Sequence, residues 1–216
     1  MPDWDEQARA AEARYRDGEA RLPDDPDQRQ RQLTRMGNAA WAAGLAHAMA
    51  GREAESHEWL LRAAERYRES YPLAPPGSWG RPIAVLKALL LAGEDAEEAA
   101  RWTLAEGAAE AESPIGRYAA ALAHAVLGEW EDVRVLADGL RTGDGFPTDV
   151  ADALAFLAAE DVVGYAEAVQ EVLASFVGRE GYLEDVAVAD TVLVLQALAA
   201  RRGITVDLAS PLLPSG

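Results

Sequence analysis

Two of the histidines in this chain lie in nearly identical nine-residue segments. His47 belongs to "AGLAHAMAG" (43–51) and His124 to "AALAHAVLG" (120–128), and the 216-residue sequence has only three histidines. An imidazole can ligate a metal or transfer a proton near neutral pH, so the repetition raises the hypothesis of a paired active site. The other hypothesis is a structural histidine that recurs at one position of a repeated helix.

The spacing around these two histidines favours the structural hypothesis. A zinc-binding helix places a second histidine four residues after the first, but the residues at that distance are Gly51 and Gly128. A shared metal would also require the two segments to meet, although another helical hairpin is expected between them. We therefore expect each ring to pack between helices, with one ring nitrogen bonded to a carbonyl or a carboxylate.

Other catalytic and cofactor motifs are not recognisable in the sequence. The chain has no cysteine, which excludes thiol catalysis, disulfides and thiolate zinc sites. Its one lysine, Lys87, lies in a helical segment, and "PGSWG" lacks the spacing of a nucleophile elbow around Ser78. We predict no catalytic residue, no cofactor and no metal. A small enzyme whose pocket gathers His57, Glu58 and arginines is the alternative.

The composition indicates an all-α protein with a strongly acidic surface. Alanine dominates the 50% of residues that are hydrophobic, and alanine is the best helix former. The formal net charge is −17, which repels nucleic-acid phosphates and anionic membranes. The N-terminal segment lacks the apolar core of a signal peptide, and no apolar run reaches the roughly 20 residues of a membrane span. We expect a cytoplasmic protein that binds neither nucleic acid nor membrane.

The excess of acid over lysine has two explanations that the sequence leaves open. A high net charge keeps proteins soluble, and such compositions are typical of proteins adapted to high intracellular salt. A GC-rich genome, which favours alanine, arginine, glycine and aspartate codons, would produce the same bias. Both explanations concern the source of the protein and not its function.

A turn residue recurs along the chain after helices rich in alanine and leucine. The recurring positions are Gly51, Gly93, Gly128 and Glu160, separated by 42, 35 and 32 residues. Each precedes an acidic turn that opens an amphipathic helix. Periods of this length are typical of helix–turn–helix repeats, in which each hairpin buries its apolar face against its neighbours.

These patterns predict a single domain, residues 1–216, built as a right-handed stack of about four α-hairpins. An extra helix precedes the stack, and a final helix at about 186–202 leads to an extended tail, 203–216. The hairpins are expected at about 27–71, 82–111, 114–141 and 148–177.

The hairpins resemble those of the tetratricopeptide repeat family. With Gly51 at the turn, Gly44 falls seven residues earlier, at the small position where the two helices cross. Ala121 takes that place in the third hairpin, and Trp130 falls at the aromatic position after Gly128. The alanine typical of the second helix is replaced in these hairpins by serine, glutamate or valine. The resemblance implies a TPR-like superhelix with a concave binding face.

The last 60 residues or so resemble a different family, immunity protein 49 of bacterial polymorphic toxin systems. Members of that family end with an alanine-rich helix, a glycine, a short β-branched stretch and a Ser-x-x-Leu-Pro motif. The matching residues here are Gly203, Ile204, Val206, Ser210, Leu213 and Pro214. This resemblance implies a protein that neutralises a cognate toxin by binding it.

Surface recognition is the function that remains. Loop 72–82 holds Trp79 and Arg81, and these two residue types dominate binding hot spots. A tryptophan in such a loop is either packed over a hairpin seam or offered to a partner. Together with Tyr71 and His57 they are our candidate partner-binding residues. We expect a non-enzymatic protein whose acidic groove binds a protein or peptide, preferably a basic one; the oligomeric state is left open.

Overall fold

A computed structural model describes residues 2–215, and these residues form ten α-helices and no β-strand. The all-α prediction is confirmed. No helix in this part of the chain is both long and apolar enough to cross a membrane. The helices are α1 Trp4–Ala20, α2 Pro26–Met49, α3 Glu53–Ser70, α4 Gly80–Leu91, α5 Glu97–Ala105, α6 Pro114–Leu127, α7 Trp130–Thr142, α8 Thr148–Ala158, α9 Val162–Val177 and α10 Asp190–Ala200.

Several helices begin at side chains that cap the free backbone N–H groups of the first turn. Asp25 accepts a hydrogen bond from the amide of Gln28 at 2.9 Å, and Pro26 occupies the first turn. Ser113 caps α6 in the same way, 3.1 Å from the amide of Gly116, with Pro114 next in the chain. A capping side chain followed by proline is a local sequence signal, and it fixes where α2 and α6 begin.

The four recurring turn residues all adopt the left-handed backbone conformation. Their φ angles are 72° at Gly51, 73° at Gly93, 75° at Gly128 and 56° at Glu160. The residue after each one donates its backbone N–H to the carbonyl five residues back. These bonds are Arg52 to His47, Glu94 to Leu89, Glu129 to His124 and Asp161 to Phe156, and they are 2.9–3.0 Å long. This is the Schellman ending of a helix. The four positions aligned on sequence therefore share one turn geometry.

The chain divides into two compact units. The first comprises the described residues of Met1–Glu94, Arg179–Val188 and Pro211–Gly216. Within it α2 packs against both α1 and α3, and α4 packs against α3. Gly44 allows a close approach of α2 and α3, since a Cβ at that position would lie 2.8 Å from Cγ of Leu60. Trp59 of α3 meets Tyr15 of α1 edge-on, with 5.3 Å between ring centroids.

The second unit comprises Asp95–Gly178 and Ala189–Ser210. Successive helices from α5 to α9 pack against one another, and α10 contacts α8 and α9. The alanine-rich face of α6 is buried, including Ala121, which is fully inaccessible to solvent. Two arginines that follow α10 donate to carbonyl groups at the ends of earlier helices. Arg201 reaches Val126 at 3.0 Å, and Arg202 reaches Leu157 and Ala158 at 2.8 Å each.

The C-terminal segment differs from the sequence-based outline in one respect. The final helix starts at Asp190, four residues later than expected, because Val186 is extended and residues 187–189 are not helical. Just before them, Glu184 and Asp185 take left-handed φ angles of 55° and 61°. Residues 204–210 contain no regular structure, and Gln196 donates to the Val206 carbonyl at 3.2 Å. Whether the chain is one domain stays a prediction.

Candidate functional site

His47 is buried within the first unit and both of its ring nitrogens are engaged. Its side chain is only 8% exposed. Nδ1 accepts from Nε of Arg52 at 2.8 Å, and Nε2 lies 2.9 Å from Oε1 of Glu12 on α1. Arg52 in turn contacts the carboxylate of Asp5. The ring thus lies between an arginine and a carboxylate, and this network ties the turn after α2 to α1.

The Glu12 carboxyl of this network has a lowered pKa. Burial would raise its pKa, but hydrogen bonds from His47 and Arg16, together with the positive charge of Arg16, outweigh burial and lower the pKa below its ordinary value. Glu12 is therefore an ionised acceptor at neutral pH. The arrangement holds His47 in place, and both of its ring nitrogens are occupied by protein groups.

His124 occupies the equivalent position in the second unit, with a different partner. Its Nδ1 lies 2.6 Å from Oε2 of Glu129, which stands five residues later, as Arg52 does after His47. Donor atoms of His124, Glu129 and Asp132 all lie within 4.8 Å of one another. Zinc ligands lie about 2 Å from the ion, and mostly exposed, acidic groups like this one are common without a metal. The four-residue spacing of a zinc-binding helix does not detect this group of three side chains, because they come together across the Gly128 turn.

The loop before α4 turns its tryptophan inward. Trp79 is 9% exposed, and its ring lies 6.3 Å from that of Tyr71, centroid to centroid. Of the two interpretations of Trp79, packing over the helix seam is the one that the structure shows. Tyr71 itself is partly exposed, at the start of the short 3₁₀ segment Tyr71–Leu73.

Arg81 also points into the protein. Its Nε donates to Ser70 at 2.9 Å and to Thr34 at 3.2 Å, and its guanidinium contacts the side-chain oxygen of Gln30. Burial lowers its pKa, and Gln30 and Ser70 are themselves buried. Arg81 therefore links α2, α3 and α4. A partner that uses Arg81 would have to compete with these three hydrogen bonds.

His57 lies apart from the other three candidates, at a groove in the first unit. This cavity of about 660 Å³ is lined by the end of α2, the start of α3 and the end of α4. The C-terminal Pro214 and Ser215 form part of its wall. The structure thus separates His57 from Tyr71, Trp79 and Arg81, so the four candidates do not form one surface. Their partner-binding role stays a prediction.

The ionisable groups at this groove are two glutamates and one histidine. Nε2 of His57 lies 2.8 Å from Oε1 of Glu94, and the two side chains are 43% and 44% exposed. Glu53 lines the groove near them and is exposed. Apolar wall comes from Leu91 and Ala92 of the α4 end. The groove can therefore accept an apolar side chain and place carboxylates beside a positive charge.

Two features of the groove could not be read from the sequence. Glu94 follows His57 by 37 residues, and Pro214 lies far beyond both, so their meeting depends on the packing of α3, α4 and the tail. The tail was expected to be extended, but nothing in its sequence shows which surface it lines.

The fold and these sites define an all-α protein whose helices end in a recurring left-handed turn. Comparison of the chain with protein-family models, with curated proteins and with solved structures finds no match.

Proposed function

We propose that this is a non-enzymatic protein that binds a segment of a partner protein or a peptide. The observation that carries the proposal is the groove of about 660 Å³ beside His57. Its volume lies within the roughly 300–1,000 Å³ of typical ligand sites. The apolar wall of the groove and its few polar groups suit one or two side chains of an extended segment.

Charge selects the class of partner. Glu53 and Glu94 stand at the groove, and the whole chain carries a formal charge of −17. Such a field raises the association rate of positively charged ligands and disfavours anionic ones. The proposed occupant is therefore a segment that carries arginine or lysine next to an apolar residue.

We also propose the finer architecture, a TPR-like right-handed stack of hairpins. Support comes from the shared Schellman turn at Gly51, Gly93, Gly128 and Glu160, and from the close helix approach at Gly44. Repeated hairpins of this kind create extended surfaces for binding peptides.

A peptide titration tests the proposed function. Fluorescence anisotropy would follow a labelled nine-residue peptide of arginine, leucine and glycine, with a glutamate-substituted peptide of the same length for comparison. We expect saturable binding of the basic peptide only, weakened several-fold by Glu53→Gln and by Glu94→Gln. Glu65→Gln is the matched control, because Glu65 is an exposed acid of α3 that does not line the groove. Equal binding of both peptides, or equal loss in the control, would contradict the proposal.

The second candidate function is that of an immunity protein that binds a cognate toxin. The C-terminal resemblance to immunity protein 49 favours it, through Gly203, Ile204 and the Ser-x-x-Leu-Pro ending at 210–214. The tagged full chain would be co-expressed with toxin-like products of neighbouring genes. Stable co-purification with inhibition of one toxin supports this candidate, and a failure with every such product counts against it.

A further inference from the structure

A second cavity, of about 410 Å³, lies in the first unit between α1, α2 and the segment Leu183–Asp185. Buried Gly18, Met36 and Ala39 contribute to its lining. A Cβ on Gly18 would come within 2.8 Å of the Met36 side chain, so the close approach of α1 and α2 forms the base of the cleft. The groove beside His57 shares none of these residues.

Arginines dominate the charged lining of this cleft, in contrast to the acidity of the whole chain. Arg14, Arg21 and Arg35 line it, against two acids, Asp17 and Glu184. Asp17 is paired with Arg21 one helical turn away, and Glu184 is paired with Arg14. No hydrogen bond or ion pair among residues 2–215 engages Arg35, which is exposed. The cleft therefore retains one cation without a counter-ion.

Glu184 already places a carboxylate in the cleft. Its Oε2 lies 3.1 Å from Nε of Arg14, although the two residues belong to distant parts of the chain. The backbone of Glu184 has a φ of 55° and that of Asp185 a φ of 61°. Residues other than glycine rarely adopt this backbone conformation, and they retain it where the surrounding structure imposes it. The strained segment thus places the Glu184 carboxylate in the cleft. Arg35, which lines the same cleft, has no carboxylate partner in the part of the chain that the structure describes.

We propose that this cleft binds a small molecule through an oxyanion, a phosphate or carboxylate group. Arg35 and Arg14 would grip the oxygens, since the guanidinium fork matches both groups in geometry. The incoming anion would compete with the Glu184 carboxylate for Arg14. The volume admits a molecule of small-metabolite size and the apolar lining accepts its carbon skeleton. This site is independent of the proposed peptide groove.

Isothermal titration of the full chain at low ionic strength tests the proposal, with inorganic pyrophosphate and citrate as the two probes. We expect saturable binding of at least one of them, and the tighter probe distinguishes phosphate from carboxylate chemistry. Arg35→Gln should weaken that binding at least tenfold. Arg9→Gln removes the same charge from an exposed position of α1 that does not line the cleft, and should leave affinity nearly unchanged.

Removal of the internal competitor gives a test in the opposite direction. Glu184→Gln should tighten binding several-fold because Arg14 is released, whereas Glu180→Gln, an equal charge change outside the cleft, should have a much smaller effect. Circular dichroism confirms that each variant is folded. The proposal is overturned if neither probe binds saturably, if Arg35→Gln and Arg9→Gln lose the same affinity, or if the Glu184 and Glu180 variants behave alike.

Discussion

The Nε atom of Arg52 donates to Nδ1 of His47 over 2.8 Å, five residues across a left-handed turn. The same step of five residues brings Glu129 to Nδ1 of His124 at 2.6 Å. An arginine only donates and a carboxylate only accepts, so the two rings must present Nδ1 in opposite ways. One recurring backbone turn therefore holds two histidines in different chemical states.

These partners determine where each neutral ring carries its proton. His47 should hold the proton on Nε2, where it donates to Glu12, while His124 should hold it on Nδ1, where it donates to Glu129. Long-range ¹H–¹⁵N correlation spectra of the imidazoles, recorded at alkaline pH, report the tautomer directly. The same tautomer at both histidines would show that one of the two contacts is absent in solution.

The lowered pKa of Glu12 makes part of the stability dependent on pH. Its ionised form is favoured by folding, so this contribution is complete above the ordinary glutamate pKa near 4.5 and is lost as pH falls through the folded value. Glu12→Gln should cost about 1–2 kcal/mol at pH 7, and the difference from wild type should shrink towards pH 3. Urea unfolding at several pH values measures it, with exposed Glu55→Gln as control. A difference that is constant with pH would contradict this assignment.

Much of the fold was readable because its signals are local. Asp25-Pro26 and Ser113-Pro114 start helices, and glycine at 51, 93 and 128 ends them, through caps that involve only a few neighbouring residues. The late start of α10 was not readable, because extended backbone at Val186 follows Glu184 and Asp185, whose left-handed angles their residue types do not favour. Long-range packing imposes that conformation, and single-sequence patterns carry no information about it.

Gly44 lies at a close approach of α2 and α3, and Ala121 is the buried residue aligned with it. A side chain at position 44 would meet Leu60 atoms within 3.0 Å and the Leu60 backbone nitrogen at 3.3 Å. Gly44→Leu should therefore destabilise by about 1–3 kcal/mol through overpacking. Gly139→Ala in α7 is the control, since nothing lies within 4 Å of its added Cβ, and it should be neutral or stabilising. A Gly44 variant that melts at the wild-type temperature would contradict the close helix crossing.

Arg202 secures the end of α8 within the second unit. It donates to the carbonyls of Leu157 and Ala158, its guanidinium lies 4.4 Å from the ring centroid of Trp130, and its side chain is 11% exposed. Arg202→Ala leaves two carbonyls without this donor and should cost about 2–3 kcal/mol. Arg134→Ala removes only the exposed ion pairs with Glu131 and Asp138 of the same helix and should leave the melting temperature nearly unchanged. Equal thermal shifts in the two variants would refute the structural role of Arg202.

The candidate site was less predictable than the fold. His47 was expected to contact a carbonyl or carboxylate, and Glu12 provides the carboxylate, but the residue itself lies 35 positions away. Trp79 and Arg81 were chosen by residue type, and type does not distinguish a side chain offered to a partner from one packed between helices. The groove beside His57 requires three helix ends and the tail to meet, which only tertiary packing decides.

The proposed function is that the groove beside His57 binds a basic segment of a partner protein. Chemical-shift mapping by ¹H–¹⁵N correlation spectroscopy tests it most directly, with the labelled full chain and the arginine–leucine–glycine peptide. We expect saturable shifts at amides around the groove, namely Ser56, His57 and Gly93, and none at Arg35 of the arginine-lined cleft. Saturable shifts confined to other surfaces, or no shifts at a large excess of peptide, would contradict the account.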